Sequence, residues 1–333
     1  MHAPSPQPLN PLVTAPILPT LTVLAWPNMV AMVATALVAI AETAYVGRLG
    51  TAPLAGLALV FPFVMLQQMM SAGAMGGGIS SAVSRALGAG DKLRAQSLAL
   101  HSAVIGAGAG LVFILVFLLF GRHIFFLLGG CGAVLAEALA YSNIVFVAAP
   151  VIWLANTFAS VVRGSGNMRI PSATLLAVAA LQIGLGGSLG LGLGPLPRLG
   201  MAGVALGQAL AYLAGALYLL WYLQSGRARV PLVWGGKRLR RDMFSDILKV
   251  GALACVSPLQ TVLTVLILTR IIAQFGIGPL AGYGIGARLE FLLIPITFAI
   301  GIACVPMVGM AIGAGDTPRA RRVAWTGGGL AAL

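Results

Sequence analysis

Charge is what this sequence has least of. Of 333 residues only 8% are charged, and seven are acidic, where an ordinary soluble domain carries about a quarter. That scarcity excludes a water-facing enzyme or binding module with a normal polar surface. Cysteine is scarce as well: Cys131, Cys255 and Cys304 have neither metal-ligand nor redox spacing and read as packing residues. No Lys-Ser or Lys-Thr follows any glycine cluster, so a Walker loop is missing and ATP is not expected to drive the protein. With no metal-ligand cluster and no nucleophile-base pair, the sequence points away from an enzyme and implies no cofactor. The leader MHAPSPQPLNPLV has no basic stretch and no small-residue cleavage site, so the first apolar segment is expected to serve as its own insertion signal. The alternating pattern of about ten residues that marks an outer-membrane barrel is also missing.

Apolar length is abundant. Hydrophobic residues make up 59% of the chain and its mean hydropathy is +1.00. Stretches of about 20 or more apolar residues recur, each able to cross a hydrocarbon layer of roughly 30 Å as a helix. Only helices and closed barrels satisfy the backbone in lipid, so the expected class is an all-α polytopic membrane protein. Nine apolar segments stand at about 17–46, 54–84, 97–120, 134–162, 170–193, 201–223, 246–275, 280–311 and from 323 onward. The resulting organisation is a cytoplasmic tail over 1–16, a six-helix lobe over 17–224, a loop over 225–245, and a second unit over 246–333 holding two complete helices and the start of a third.

The net charge of +13 is distributed unevenly. Alternating the links between two faces collects Arg85, Lys92, Arg94, Arg163, Arg169, the seven basic residues from Arg227 to Lys249, Arg319, Arg321 and Arg322 on one side. The other side receives Arg48, Arg122, Arg198, Arg270 and Arg288. By the positive-inside rule the rich side is cytoplasmic, and so is the N-terminus. The charge is then a topology signal, with nucleic acid a poor second reading.

An internal repeat emerges when the halves are laid side by side. Gly50 to Gly56, GTAPLAG, is echoed by Gly276 to Gly282, GIGPLAG, and the GAGD at 88–91 by the GAGD at 313–316. Arg94 and Arg319 follow at the same distance. The offset of about 225 residues spans six crossings, an even number, so the two units are parallel. A full second unit would reach the mid-460s, which leads to the expectation that roughly 100 to 130 residues follow Leu333 in the parent reading frame and that the 333 residues alone do not transport.

The stretches ETAYVGRLGTAPLAG, the two GAGD links, RGSGN at 163–167, GLGPLPRLGMAGVALG at 192–207 and GYGIGARLEFLLIP at 282–295 together resemble the multidrug and toxic compound extrusion (MATE) family, in the family's order. The resemblance implies a twelve-helix exporter, monomeric when full length, with two six-helix lobes around a central cleft in the bacterial inner membrane. Proton or sodium entry would drive efflux of organic, often cationic, compounds through the lipid bilayer. This chain would then hold the N-lobe and an incomplete C-lobe. Alternatives are a lipid-linked or polysaccharide-type flippase of related architecture, or a non-transporting fragment.

On this resemblance Glu42, followed by Thr43, occupies the place of the family's first-helix acid, and Pro27 that of its kink proline, fifteen residues earlier, or about 22 Å of helix. A carboxylate at that depth costs a few kcal/mol when charged and is therefore cheap to protonate. The competing reading leaves Glu42 as a partly solvated residue hydrogen-bonded to Tyr45. Gln182 stands where the family often has Asn, and Gly186 where one branch has a second aspartate, which tilts the expected coupling ion from sodium toward the proton. Asn156 and Gln208 are polar residues of the fourth and sixth spans that face the lobe interior, or else bond helix to helix. The seventh-helix glutamate of one branch is missing near Gln260 and Thr261, and Leu268 replaces Glu42 in the second unit. Glu290 on the eighth span, two residues from Arg288, is a candidate for the substrate cleft, as are Gln208, Met65 and Met69; Met70 and Met75 extend that methionine row, which equally reads as packing.

Overall fold

The computed structural model describes residues 11–193, 197–233, 239–275 and 297–332. They form α1 (Pro11–Thr14), α2 (Ile17–Leu49), α3 (Thr51–Gln68), a π-helical segment (Met69–Ala74), α4 (Met75–Gly88), α5 (Lys92–Leu127), α6 (Gly132–Val147), α7 (Ala149–Gly164), α8 (Arg169–Leu191), α9 (Gly200–Gln224), α10 (Arg241–Ala254), α11 (Val256–Ala273), α12 (Thr297–Gly313) and α13 (Thr317–Ala332). Among the described residues six helical stretches are long and apolar enough to cross a membrane, and seven if α6 and α7 form one bent span. The chain is an all-α, multi-pass integral membrane protein. Trp26, Val33, Leu37 and Ile40 on α2 and Leu111, Leu115 and Leu119 on α5 are exposed, an apolar surface suited to lipid.

The helices overrun their apolar stretches. α4 extends to Gly88 with Arg85 in its last turn, where the carbonyl end of the helix dipole favours a cation. Hydropathy marks the thickness of the hydrocarbon, whereas the backbone ladder ends at the cap. The fourth span breaks at Ala148, where α6 and α7 meet at 47°. Pro150 lies in the first turn of α7 and has no N–H to continue the α6 ladder. Gly110 of α5 packs against that break, where any side chain would collide with the backbone of Pro150.

The GAGD sequence builds the same turn twice. Gly90 and Gly315 take φ of 76° and 80°, a left-handed conformation that glycine adopts without steric cost. Asp91 Oδ1 accepts the amide of Arg94 at 2.8 Å, and Asp316 Oδ1 that of Arg319 at 2.9 Å, capping α5 and α13. The preceding helices, α4 and α12, also meet each other symmetrically. A side chain on Gly88 would run into the backbone of Met310, and one on Gly313 into that of Arg85. Residues 88 and 313, like 85 and 310, are equivalent in the repeat, so one contact is made twice about a local pseudo-two-fold axis. Gly309 against Ser84 and Gly73 against Phe298 lie along the same axis. The first echo of the repeat, at 276–282, falls outside the described residues.

Further bonds tie the units at this basic end. Asp246 on α10 accepts from Arg85 at 2.6 Å and from Arg94 at 2.9 Å. His101, buried on α5, accepts the backbone N–H of Arg240 at Nε2 (2.8 Å), while Nδ1 lies 2.7 Å from the carbonyl of Ser97, which fixes the ring proton on Nδ1. Arg319 donates to the carbonyls of Leu12 and Ala15. The two units are therefore shut against one another at the basic end.

Candidate functional site

A carboxylate in a membrane span needs a donor or a proton. Glu42, 8% exposed, lies on α2 about two turns from its C-terminal end. Its Oε1 accepts from Nε2 of Gln182 on α8 at 3.0 Å. Nearer the basic end Ser172 Oγ of α8 donates to Asn28 Oδ1 of α2, also at 3.0 Å. Pro27 precedes that anchor inside a continuous α2, and its missing N–H releases the carbonyl of Val23.

Gln182 is positioned by the approach of α8 to α9. Side chains on Gly203 or Gly207 of α9 would collide with the backbone of Leu189 or Gly186, the kind of small-residue interface that holds helices together in lipid. Gly186 also makes room for Tyr45. A Cβ at 186 would lie 2.9 Å from the Tyr45 hydroxyl. Tyr45 is buried, and its hydroxyl has no hydrogen-bond partner among the described residues. Glu42 is thus bonded to Gln182 and not to Tyr45, which instead leans across Gly186.

A column of polar groups continues inward. Tyr141 on α6 donates to Oε1 of Gln208 on α9 at 2.9 Å, which puts Gln208 inside the N-lobe packing. Tyr212 on α9 donates to Oε1 of Gln68 at 3.3 Å, and Asn156 on α7 donates to Ser71 Oγ at 2.8 Å and to Gln68 Oε1 at 3.4 Å. Ser71 belongs to the π-helical segment, an i→i+5 stretch of the kind that recurs at functional sites. Asn156 therefore joins α7 to that segment and not to Glu42.

The other sequence candidates are dispersed. Met65, Met69 and Met70 are half-buried along the second span, and Met75 packs on Gly251 of α10. Leu268, in the place equivalent to Glu42, is exposed on α11. Glu290 and Arg288 fall outside the described residues. Sequence reasoning missed Gln68, Ser71, Tyr141 and Tyr212. A signal for them existed: a polar side chain inside an apolar span is a candidate for function or for interhelical bonding by default.

The MatE family model matches residues 27–186 and 254–333, more than half of the chain. A FAD transporter of Shewanella oneidensis is 27% identical over 283 residues, covering 83% of this chain and 61% of that protein. The multidrug export protein MepA of Staphylococcus aureus is 30% identical over 237 residues, 71% of this chain and 51% of MepA. The chain thus spans half to three-fifths of the length of these relatives. Among solved structures, a MOP superfamily transporter from Pyrococcus furiosus superposes with a TM-score of 0.89 at 23% identity over 96% of this chain and 70% of its own.

Proposed function

The chain belongs to the MatE family, and from that premise we propose that it forms the ion-coupling lobe and part of the second lobe of a secondary exporter of organic compounds. The observation that carries the reading is Glu42, a buried acid in the outer half of the first span with a neutral amide as its hydrogen-bond partner. An acid held by an amide, with no cation paired to it among the described residues, is ionised only at a cost in a low-dielectric site, so taking up a proton relieves the site. The proton is the coupling ion in this reading. A sodium ion would need several oxygen ligands, and here Gln182 turns its Nε2 donor, not its carbonyl, toward Glu42.

Cationic substrates are favoured because the spans carry few basic residues. The match to a FAD transporter favours a second reading, an aromatic dinucleotide anion. Both are tested by expressing the protein from its complete reading frame in a host lacking its own exporters. Ethidium efflux that collapses when the pH gradient is dissipated is the expected result. Efflux of FAD without ethidium efflux would favour the second reading, and neither activity would overturn the exporter assignment.

The proposed setting is a bacterial inner membrane with the basic end in the cytoplasm. A cysteine placed at Gly235, between α9 and α10, is then expected to escape an impermeant thiol reagent in intact cells. Labelling from outside would reverse the orientation.

A further inference from the structure

At the outer end of the bundle, opposite the GAGD turns, lies a cavity of about 330 Å³ lined in part by Leu49, Pro53, Glu137, Arg198 and Met201. Glu137 is half-buried and Arg198 exposed, and neither forms an ion pair among the described residues. Three separate helices lead inward from this cavity to the polar column. On α2, Tyr45 and Glu42 lie four and seven residues in from Leu49. On α6, Tyr141 lies four residues in from Glu137, and on α9, Gln208 lies seven in from Met201. Spacings of four and seven return to the same helix face, and they span about 6 to 10 Å. Leu49, Glu137 and Met201 at the cavity and Glu42, Tyr45, Tyr141 and Gln208 deeper in therefore occupy the same three helix faces at successive depths. About one turn from Glu42 toward the cavity, α2 carries Tyr45, whose buried hydroxyl has no hydrogen-bond partner among the described residues.

The geometry points to this cavity as the outer proton port of the Glu42 site, with Glu137 as the capturing group and the Tyr45 hydroxyl as the relay. The inference rests on the reading of Glu42 as the coupling acid. The net event moves one proton. Glu137 gives it up and returns to a carboxylate; the phenol oxygen accepts it while releasing its own to Glu42, which becomes a carboxylic acid. Only O–H bonds form and break. The charged group that lines the cavity with Glu137 is Arg198; α3 contributes Pro53 to the lining and Gly56 against the Glu137 Cβ, neither of which titrates. Arg122 and His123 of α5 line a different cavity, with Leu135 and Cys131. Arg198 in the same mouth keeps it from concentrating metal cations, while the carboxyl group of Glu137 can still pass a proton.

The test uses the protein from its complete reading frame, reconstituted in lipid and subjected to a pH jump while the infrared carboxyl band of Glu42 is followed. That band is identified by its loss in Glu42→Gln. Glu137→Gln is expected to slow proton equilibration by about tenfold with the band amplitude unchanged, Glu137→Asp to restore the rate, and Tyr45→Phe to slow it likewise. Parental rates in both Glu137→Gln and Tyr45→Phe would overturn the port and leave the role of Glu42 standing. Absence of any Glu42-dependent band would overturn both.

Discussion

Glutamine at position 42 is expected to leave a folded, substrate-binding protein that no longer couples efflux to a pH gradient. The exchange is nearly isosteric, and the amide oxygen of the new side chain can accept the same 3.0 Å bond from Gln182 Nε2, so the packing of α2 on α8 is retained. Only the site's capacity to bind and release a proton is lost. Proton-driven ethidium efflux should fall by about a hundredfold or more, while ethidium binding and thermal unfolding stay close to parental. Glu42→Asp keeps the carboxyl group and should retain transport. Parental efflux by the glutamine variant would sink the assignment of Glu42 as the coupling acid.

Enlarging Gly313 should force open the basic end. Its nearest neighbours are the carbonyl group of Arg85 and the amide nitrogen of Ala89, and backbone atoms cannot rotate away as a side-chain tip would. Gly313→Val therefore pushes α12 off α4. Overpacking of this kind costs about 1 to 3 kcal/mol, and the closed arrangement should lose roughly tenfold to a hundredfold in population relative to the open one. Gly88→Val should do the same, because it makes the equivalent contact with Met310. Gly301→Ala, with open space around it, should be silent. A cysteine at Ala311, buried in the closed form, reports the outcome on a background lacking Cys131, Cys255 and Cys304. Its labelling should rise in both valine variants and not in Gly301→Ala; unchanged labelling would refute the gate.

The spans were legible because lipid imposes a length and a polarity that hydropathy reads directly. The GAGD repeat was legible for a different reason, since a left-handed glycine followed by a capping aspartate leaves a short local signature wherever it is used. Glu42 stood out as a charge in an apolar run, and Gln182 entered only through family resemblance. Tyr141, Tyr212 and Gln68 stayed hidden because tyrosine and glutamine lower mean hydropathy too little to interrupt a span. Their bonds also join residues 67 to 144 positions apart, a pairing that only the packing of α3, α6 and α9 reveals. The π-helical segment left no mark either. Its sequence, MMSAGA, contains no residue that dictates the wider i→i+5 turn, and α7 supports it through Asn156.

The paired contacts of Gly88 with Met310 and Gly313 with Arg85 have a consequence for ancestry. A contact made twice about an axis is the interface of a homodimer written into one chain, so an unduplicated ancestor one repeat unit long needed no new surface to assemble. Position 73 and its equivalent 298 record the departure from that state. Two identical halves would bring two phenylalanines or two glycines to the axis. The ring of Phe298 has space only because residue 73 carries no side chain, so this pair became possible after the copies were fused and free to diverge.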